Sequence, residues 1–417
     1  MHAFSLSALA LLSSSAAART CHNITVPVSI SSRNGVFNNT AVPQTNLDAT
    51  TFVQNQTRQG QNFTAVALTA YATVTGNYNI SAQFCLPSGS NSTLTNPTVQ
   101  ILTHGIGFDK TYWDLPYNNY NYSYVDTAVD EYGYCTLSYD RLGIGNSSHG
   151  EPRNEIQSFL EIQALAAMTR MLRNGSFPTV NHTFSKVVHV GHSFGSAQTF
   201  ALTAMYPNIS DGIILTGWST NGSFVGYFGA GADFQQANLN QPLRFGSASN
   251  YAVLNSFLEN YALTDLVAPV QMAPEQSLAY VNGYLTNSNV NSQQYLFFLP
   301  PYFDTGLLYY GEQTKQPVTI GELLTLGSLP AMSTFKGPVL VFTGSNDLPY
   351  CGGDCLNTGM SAPSIPSTAS TAFPNASVFE AYIQPVTGHG LNFHYNATAG
   401  YRYIQDFLMA QNLESQR

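Results

Sequence analysis

Charged side chains are scarce in this chain. Asp, Glu, Lys and Arg make up 9% of its 417 residues, and the formal net charge is -9 at pH 7. With only 14 basic residues, the chain lacks the basic face that nucleic acid or an anionic membrane needs, so no nucleic-acid partner is expected. Cysteine is sparse too, at five. No second Cys or His pair stands at ligand spacing, which argues against a zinc site; no metal and no organic cofactor is expected. Long apolar runs are also missing. The apolar stretch over residues 4–12 is about half of what a bilayer span requires, so no stable membrane anchor is expected. It suits the apolar segment of a secretory signal peptide instead. Small residues follow, and Ala16-Ala17-Ala18 supplies an A-x-A site. Residues 1–18 are therefore expected to be removed, leaving a secreted, extracellular protein.

Other features of the sequence agree with secretion. About fourteen N-x-[ST] sequons are scattered along it, with Asn23, Asn62, Asn121, Asn208 and Asn396 as glycosylation candidates. In an oxidising compartment five cysteines suggest two bridges and one free thiol. Cys351 and Cys355 are close enough to bridge a small loop, Cys21 and Cys85 then pair by elimination, and Cys135, inside an apolar strand, is left as a buried thiol.

The N-terminal part of the chain that follows the expected signal segment reads as strands. Residues 24–30 alternate and residues 65–84 are rich in Val, Thr, Tyr and Ile, as antiparallel strands at one sheet edge should be. From residue 98 onward short apolar strands alternate with amphipathic helices. Strands are expected at 98–103, 135–139, 187–190, 212–216, 338–343 and 376–383, and Ile162, Leu165, Met168 and Leu172 share one helix face. This pattern predicts an α/β fold with a mostly parallel sheet covered on both faces. The alternation stops after Trp218 for about a hundred residues, so residues 19–218 and 333–417 are expected to form the core, and residues 219–332 a largely helical cap with helices at 253–263 and 277–285. Residues 361–370, rich in Ser, Pro and Thr, read as a mobile surface loop.

The most informative stretch is Gly191-His192-Ser193-Phe194-Gly195. It fits G-x-S-x-G between a buried strand and a helix, the context in which a serine hydroxyl is held out on a sharp turn at a sheet end. Ligands of such sheets bind beyond the carboxyl ends of the strands, and His104, Asp140, Asp347 and His389 are expected at those ends with Ser193. A serine needs a base within hydrogen-bond reach, and the base needs an orienting group. His389, in a glycine-flanked loop after the last strand, is the expected base, and Asp347, after the 338–343 strand, the expected orienting carboxylate. His394 and Asp354 are their nearest competitors. His104, His149 and His192 read as structural. The backbone N–H groups of Phe194 and Ile106 are the expected oxyanion donors, with Gly105 and Gly107 letting the backbone approach a substrate.

On these motifs the chain resembles the α/β-hydrolase-fold serine hydrolases from about residue 98 to its C-terminus. It is similar to secreted fungal members through His104-Gly105-Ile106-Gly107-Phe108-Asp109, Tyr139-Asp140-Arg141-Leu142-Gly143-Ile144-Gly145, the serine motif itself, and Thr387-Gly388-His389-Gly390-Leu391-Asn392. The order Ser193, Asp347, His389 is the one that fold requires. The resemblance implies an ester, thioester or lactone as the small-molecule substrate, in some such relatives within natural-product pathways. Asp140-Arg141 is expected to shape the loop beside the site. In the cap, Tyr261, Tyr280, Tyr284, Tyr295, Phe297, Phe298, Tyr302 and Phe303 are the aromatics expected to divide between cap core and an apolar pocket wall. An acyltransferase or cyclising thioesterase with the same triad is the first alternative, and a non-catalytic binding protein on a hydrolase scaffold the second. Haloalkane or epoxide chemistry is disfavoured, because Ser193 stands where those families carry aspartate.

Overall fold

The computed structural model describes residues 19–88, 96–180, 182–246 and 279–415. The expected signal segment, the expected helix at 253–263 and Tyr261 lie outside the described residues.

Strand β1 (Thr20–Val36) shows the predicted alternation: Ile24, Val26, Val28 and Ile30 are buried and the positions between them face outward. Helix α1 (Asn46–Thr57) starts at a capping box formed by Thr45 and Asp48. Helix α2 (Phe63–Ala67) is capped by the Asn62 side chain, which accepts from Ala65 N. That local bond explains why the expected 65–84 strand begins only at β2 (Ala70–Leu86). Strands β1 and β2 pair antiparallel along their whole length, and Cys21 and Cys85, register partners, are disulfide-bonded.

The alternating unit then runs β3 (Thr98–Thr103), β4 (Cys135–Tyr139), α3 (Ser158–Asn174), β5 (Lys186–His192), α4 (Phe194–Met205) and β6 (Gly212–Thr216). After α5 (Val225–Ala232) come three short strands, β7 (Gln235–Gln236), β8 (Tyr284–Thr286) and β9 (Val318–Thr319). Strands β10 (Val339–Gly344) and β11 (Phe379–Gln384) and the helix Ala397–Ala410 complete the chain. The main sheet has the order β1-β2-β4-β3-β5-β6-β10-β11, parallel from β4 onward. Every residue of β3, β4, β6 and β10 is buried, as strands covered on both faces must be. Their side chains divide between two cores: Val99 and Ile101 join the cluster under α3, while Leu102 joins the cluster on the other face. Cys135 is a free buried thiol, pushed up to about 12 by that burial.

Two local expectations need correction. The described part of the stretch between β6 and β10 carries helices, and with them the small antiparallel sheet β7-β8-β9. Strand β8 falls where a helix over 277–285 was expected; Gly283, at φ +96°, turns the chain into it, and three residues are too few to show a period of two. The Ser/Pro/Thr-rich stretch is not simply surface loop. It runs into a 3-10 helix, Pro366–Ala372, that buries Pro366, Ala369 and Ala372 and follows the buried Ile365.

One contact was not legible in the sequence. The excursion between β1 and β2 packs on the insertion between β6 and β10. Gln56 Nε2 donates to Leu323 O at 2.6 Å, Thr64 Oγ1 to Leu324 O at 2.8 Å, and Gln236 N to Asn46 Oδ1 at 2.9 Å.

Candidate active site

Ser193 sits between β5 and α4 with φ +53° and ψ -116°, a backbone conformation that costs energy for any residue with a side chain. The turn leaves no room on either side. A Cβ on Gly191 would lie 2.5 Å from Gly195 O and from Ser196 backbone atoms, and one on Gly195 would lie 2.2 Å from Thr103 O. The two glycines are thus demanded by the contact of the turn with itself and with β3. Ser193 N donates to Thr216 O at 2.9 Å, tying the turn to β6.

The loops after β10 and β11 bring two further side chains to this serine. His389 Nε2 is 2.8 Å from Ser193 Oγ, and His389 Nδ1 is 2.6 Å from Asp347 Oδ2. Asp347 and His389 are buried while Ser193 keeps part of its surface open. Since Asp347 can only accept when ionised, the ring proton sits on Nδ1, and Nε2 presents its lone pair to the hydroxyl. Asp347 is itself held: its Oδ1 accepts from Tyr350 N at 3.0 Å, and its carbonyl accepts from Gly353 N at 2.9 Å. The Cys351–Cys355 disulfide closes this short loop, and Cys355 N returns to Ser345 O.

His394, the competing base, has another task. Its Nε2 accepts from Leu299 N at 3.0 Å and Gly388 N at 3.1 Å, and its Nδ1–H donates to Gly390 O at 3.0 Å. It braces the His389 loop from behind, and burial lowers its pKa to about 4, which keeps the acceptor nitrogen unprotonated. Asp354 accepts from Leu356 N inside its own loop. Asn396 is half-buried and its amide is engaged at both ends, Nδ2 to Pro385 O and Oδ1 from Thr387 Oγ1. Asn23, Asn62, Asn121 and Asn208 are exposed.

The loop after β3 lies against the serine: a Cβ on Gly105 would be 2.9 Å from Ser193 Cβ. Gly107, at φ +85°, turns this loop, and its carbonyl accepts from Gln316 N. His104 and His192 are fully buried, and burial above all holds both rings well below the ordinary histidine range. His149 contacts Gly145 O and packs on Tyr280. Asp140 pairs with Lys110 at 2.8 Å, beside the loop it was expected to shape.

The described cap aromatics divide between the surround of His389, the core and the surface. Of the named cap aromatics, Phe297 stands against His389, with ring centroids 6.0 Å apart. Phe298 stacks on Phe393, Tyr280 and Tyr284 pack on each other, and Tyr295 and Tyr302 are exposed. Phe228 and Tyr350 also stand beside His389, at 6.0 and 6.1 Å, and the His192 ring lies at 5.1 Å. Phe228 comes from α5, whose small-residue composition gave no sign that it carries a wall of the site. Among the described residues no cluster of three His, Cys, Asp or Glu could hold a metal ion, and no helix is long and apolar enough to cross a membrane.

This chain belongs to the α/β-hydrolase fold family, whose model matches residues 101–349, more than half of its length. Solved structures of similar fold include a thermophilic esterase from Thermogutta terrifontis (14% identity, 82% of this chain and 96% of that one, TM-score 0.43). Est1E from Butyrivibrio proteoclasticus, with ferulic acid bound, is similar at 13% identity (81% and 97%, TM-score 0.43), and a bromoperoxidase from Bacillus anthracis at 15% (80% and 95%, TM-score 0.44). No curated protein sequence matches the chain.

Proposed function

We propose that the protein is a secreted serine hydrolase that cleaves a carboxylic ester, thioester or lactone of an apolar small molecule through an acyl-enzyme. The observation that carries this reading is the hydrogen-bonded line from Asp347 through His389 to Ser193, at 2.6 and 2.8 Å. In this reading Ser193 Oγ attacks the substrate carbonyl carbon as its proton passes to His389 Nε2. Asp347 keeps the imidazole in the required tautomer and stabilises the imidazolium. The N–H groups of Phe194 and Ile106 receive the oxyanion. Collapse of the tetrahedral intermediate breaks the bond to the alcohol or thiol, which takes its proton from His389. Water, activated by the same nitrogen, then attacks the acyl-enzyme and restores the serine. No cofactor enters these steps. The rings of Phe228, Phe297 and Tyr350 around His389 favour an apolar acyl or alcohol group.

The test is hydrolysis of a panel of p-nitrophenyl acyl esters by wild type and Ser193→Ala, with fluorophosphonate labelling alongside. Wild-type turnover that falls roughly a thousandfold or more in the variant, together with labelling of wild type alone, is expected. No turnover and no labelling of wild type would sink the reading.

A further inference from the structure

We propose that Arg141 is a positioning residue that holds both oxyanion-donor segments, the one carrying Ile106 and the one carrying Phe194, from a single place under the site. The inference rests on the hydrolase reading above. Arg141 directly follows β4, and two different parts of it reach the two segments.

The first reach is through the backbone. Arg141 N donates to His104 Nε2 at 3.1 Å, and His104 Nδ1 is 2.9 Å from Gly105 O. Because Nε2 accepts, the ring proton is on Nδ1 and donates to that carbonyl. Gly105 C=O and Ile106 N–H belong to one peptide plane and point in opposite directions. A proton donor fixed on the carbonyl therefore fixes the direction of the Ile106 N–H, and polarises it. Gly105 is also the residue that lies against Ser193. The fully buried His104 ring thus transmits the position of Arg141 to the peptide beside the nucleophile.

The second reach is through the side chain. The guanidinium, fully buried, lies over the Phe194 ring with 4.6 Å from Cζ to the centroid. Phe194 opens α4 and its N–H is the other expected donor. The cation is held at Nη1, which pairs with Glu161 of α3 at 2.8 Å and with Glu322 of the helix Ile320–Thr325, while Nε and Nη2 are buried without a hydrogen-bond partner among the described residues. Each carboxylate is anchored in turn. Glu161 accepts from Gln198 of α4 at 2.6 Å, and Glu322 closes a capping box on Thr319 N at 2.7 Å. Three elements thus meet on one guanidinium, whose flat face holds the ring of the donor residue. Lysine retains the charge but has no flat face to stack.

The experiment compares wild type with Arg141→Lys, Phe194→Leu and the double variant on a p-nitrophenyl ester that wild type hydrolyses. Phe194→Leu keeps the backbone N–H and removes the ring. The expected result for Arg141→Lys is a kcat loss of roughly ten- to a hundredfold, as for a sub-ångström to ångström misplacement near the reacting atoms, with KM within about twofold. The double variant should lose less than the product of the two single losses, since both act through one contact. Affinity for a boronic acid, which presents a tetrahedral anion, should fall in parallel with kcat. A folded Arg141→Lys enzyme with wild-type kcat and boronate affinity, or strictly multiplicative losses, overturns the proposal. If Arg141→Lys does not fold, the neutral Arg141→Met/Glu161→Gln/Glu322→Gln variant removes the buried charges together. It should fold and still lose kcat, and wild-type turnover by it overturns the proposal equally. A wild type that turns over no ester is the separate outcome in which the hydrolase reading fails and this inference falls with it.

Discussion

Gly195 shows what one residue can decide here. Its Cα faces Thr103 O so closely that a methyl group would sit 2.2 Å away, against backbone that cannot rotate aside. Gly195→Ala must therefore push the elbow off β3. We expect a loss of roughly 3 kcal/mol in denaturant unfolding, together with loss of the proposed esterase turnover. Gly222→Ala is the control: nothing lies within 4 Å of the added methyl, so stability should stay within about 0.5 kcal/mol. Equal effects of the two would mean that the close approach at the elbow is not what demands glycine. Read this way, the glycine pair around Ser193 is a steric requirement first. The hydroxyl is presented to solvent because the chain has no other way to turn from β5 into α4.

At the scale of an element, the loop after β10 is the informative case. A buried aspartate at the end of a strand can point in many directions. This one is fixed by the Tyr350 N–H, by the return of Gly353 N to its own carbonyl, and by the bridge between Cys351 and Cys355. Removing the bridge as Cys351→Ser/Cys355→Ser frees only a very short loop, so the cost in stability should be about 2 kcal/mol. The effect on kcat should be out of proportion, about tenfold, because the freed loop includes Gly353, whose N–H holds the carbonyl of Asp347, the partner of His389. Thermal unfolding and ester hydrolysis on one preparation separate these. Unchanged kcat in a folded variant would show that Asp347 is held by its hydrogen bonds alone.

For the whole molecule, the buried trio of Arg141, Glu161 and Glu322 joins α3, α4 and the insertion at one point. Burial, together with the neighbouring Glu322, pushes the Glu161 carboxyl well above its ordinary range against the pull of Arg141. A carboxyl raised in the folded state retains a proton that the unfolded chain releases. Its contribution to stability is complete below the unfolded pKa, near 4.5, and is lost as pH rises toward the folded pKa. Glu161→Gln cannot titrate. The difference in unfolding free energy between the variant and wild type should therefore move in favour of the variant as pH increases from 4.5, by no more than about 1.4 kcal/mol per pH unit. Thermal or denaturant unfolding at several pH values measures it. A difference independent of pH would mean that Glu161 titrates normally in the fold.

Much of this protein was determined locally and was therefore legible in the chain. Buried strands β3 to β6 and β10 appear as short apolar runs because parallel strands covered on both faces have no polar side to show. The elbow appears as glycines flanking Ser193, because the turn excludes a Cβ. The bridge between Cys351 and Cys355 follows from nearness in sequence. What the chain could not disclose depends on contacts between distant segments. Helix α2 is set by one Asn62 side-chain bond, and β8 exists because β7 and β9 pair with it. Phe228 faces His389 because α5 lies where the β1–β2 excursion and the insertion pack together. Arg141 reads only as part of a loop beside the site until the fold brings Glu161, Glu322 and the Phe194 ring around it. Backbone turns and strand burial are short-range consequences of residue type. Which side chains meet over an active site is decided by the closing of the tertiary structure.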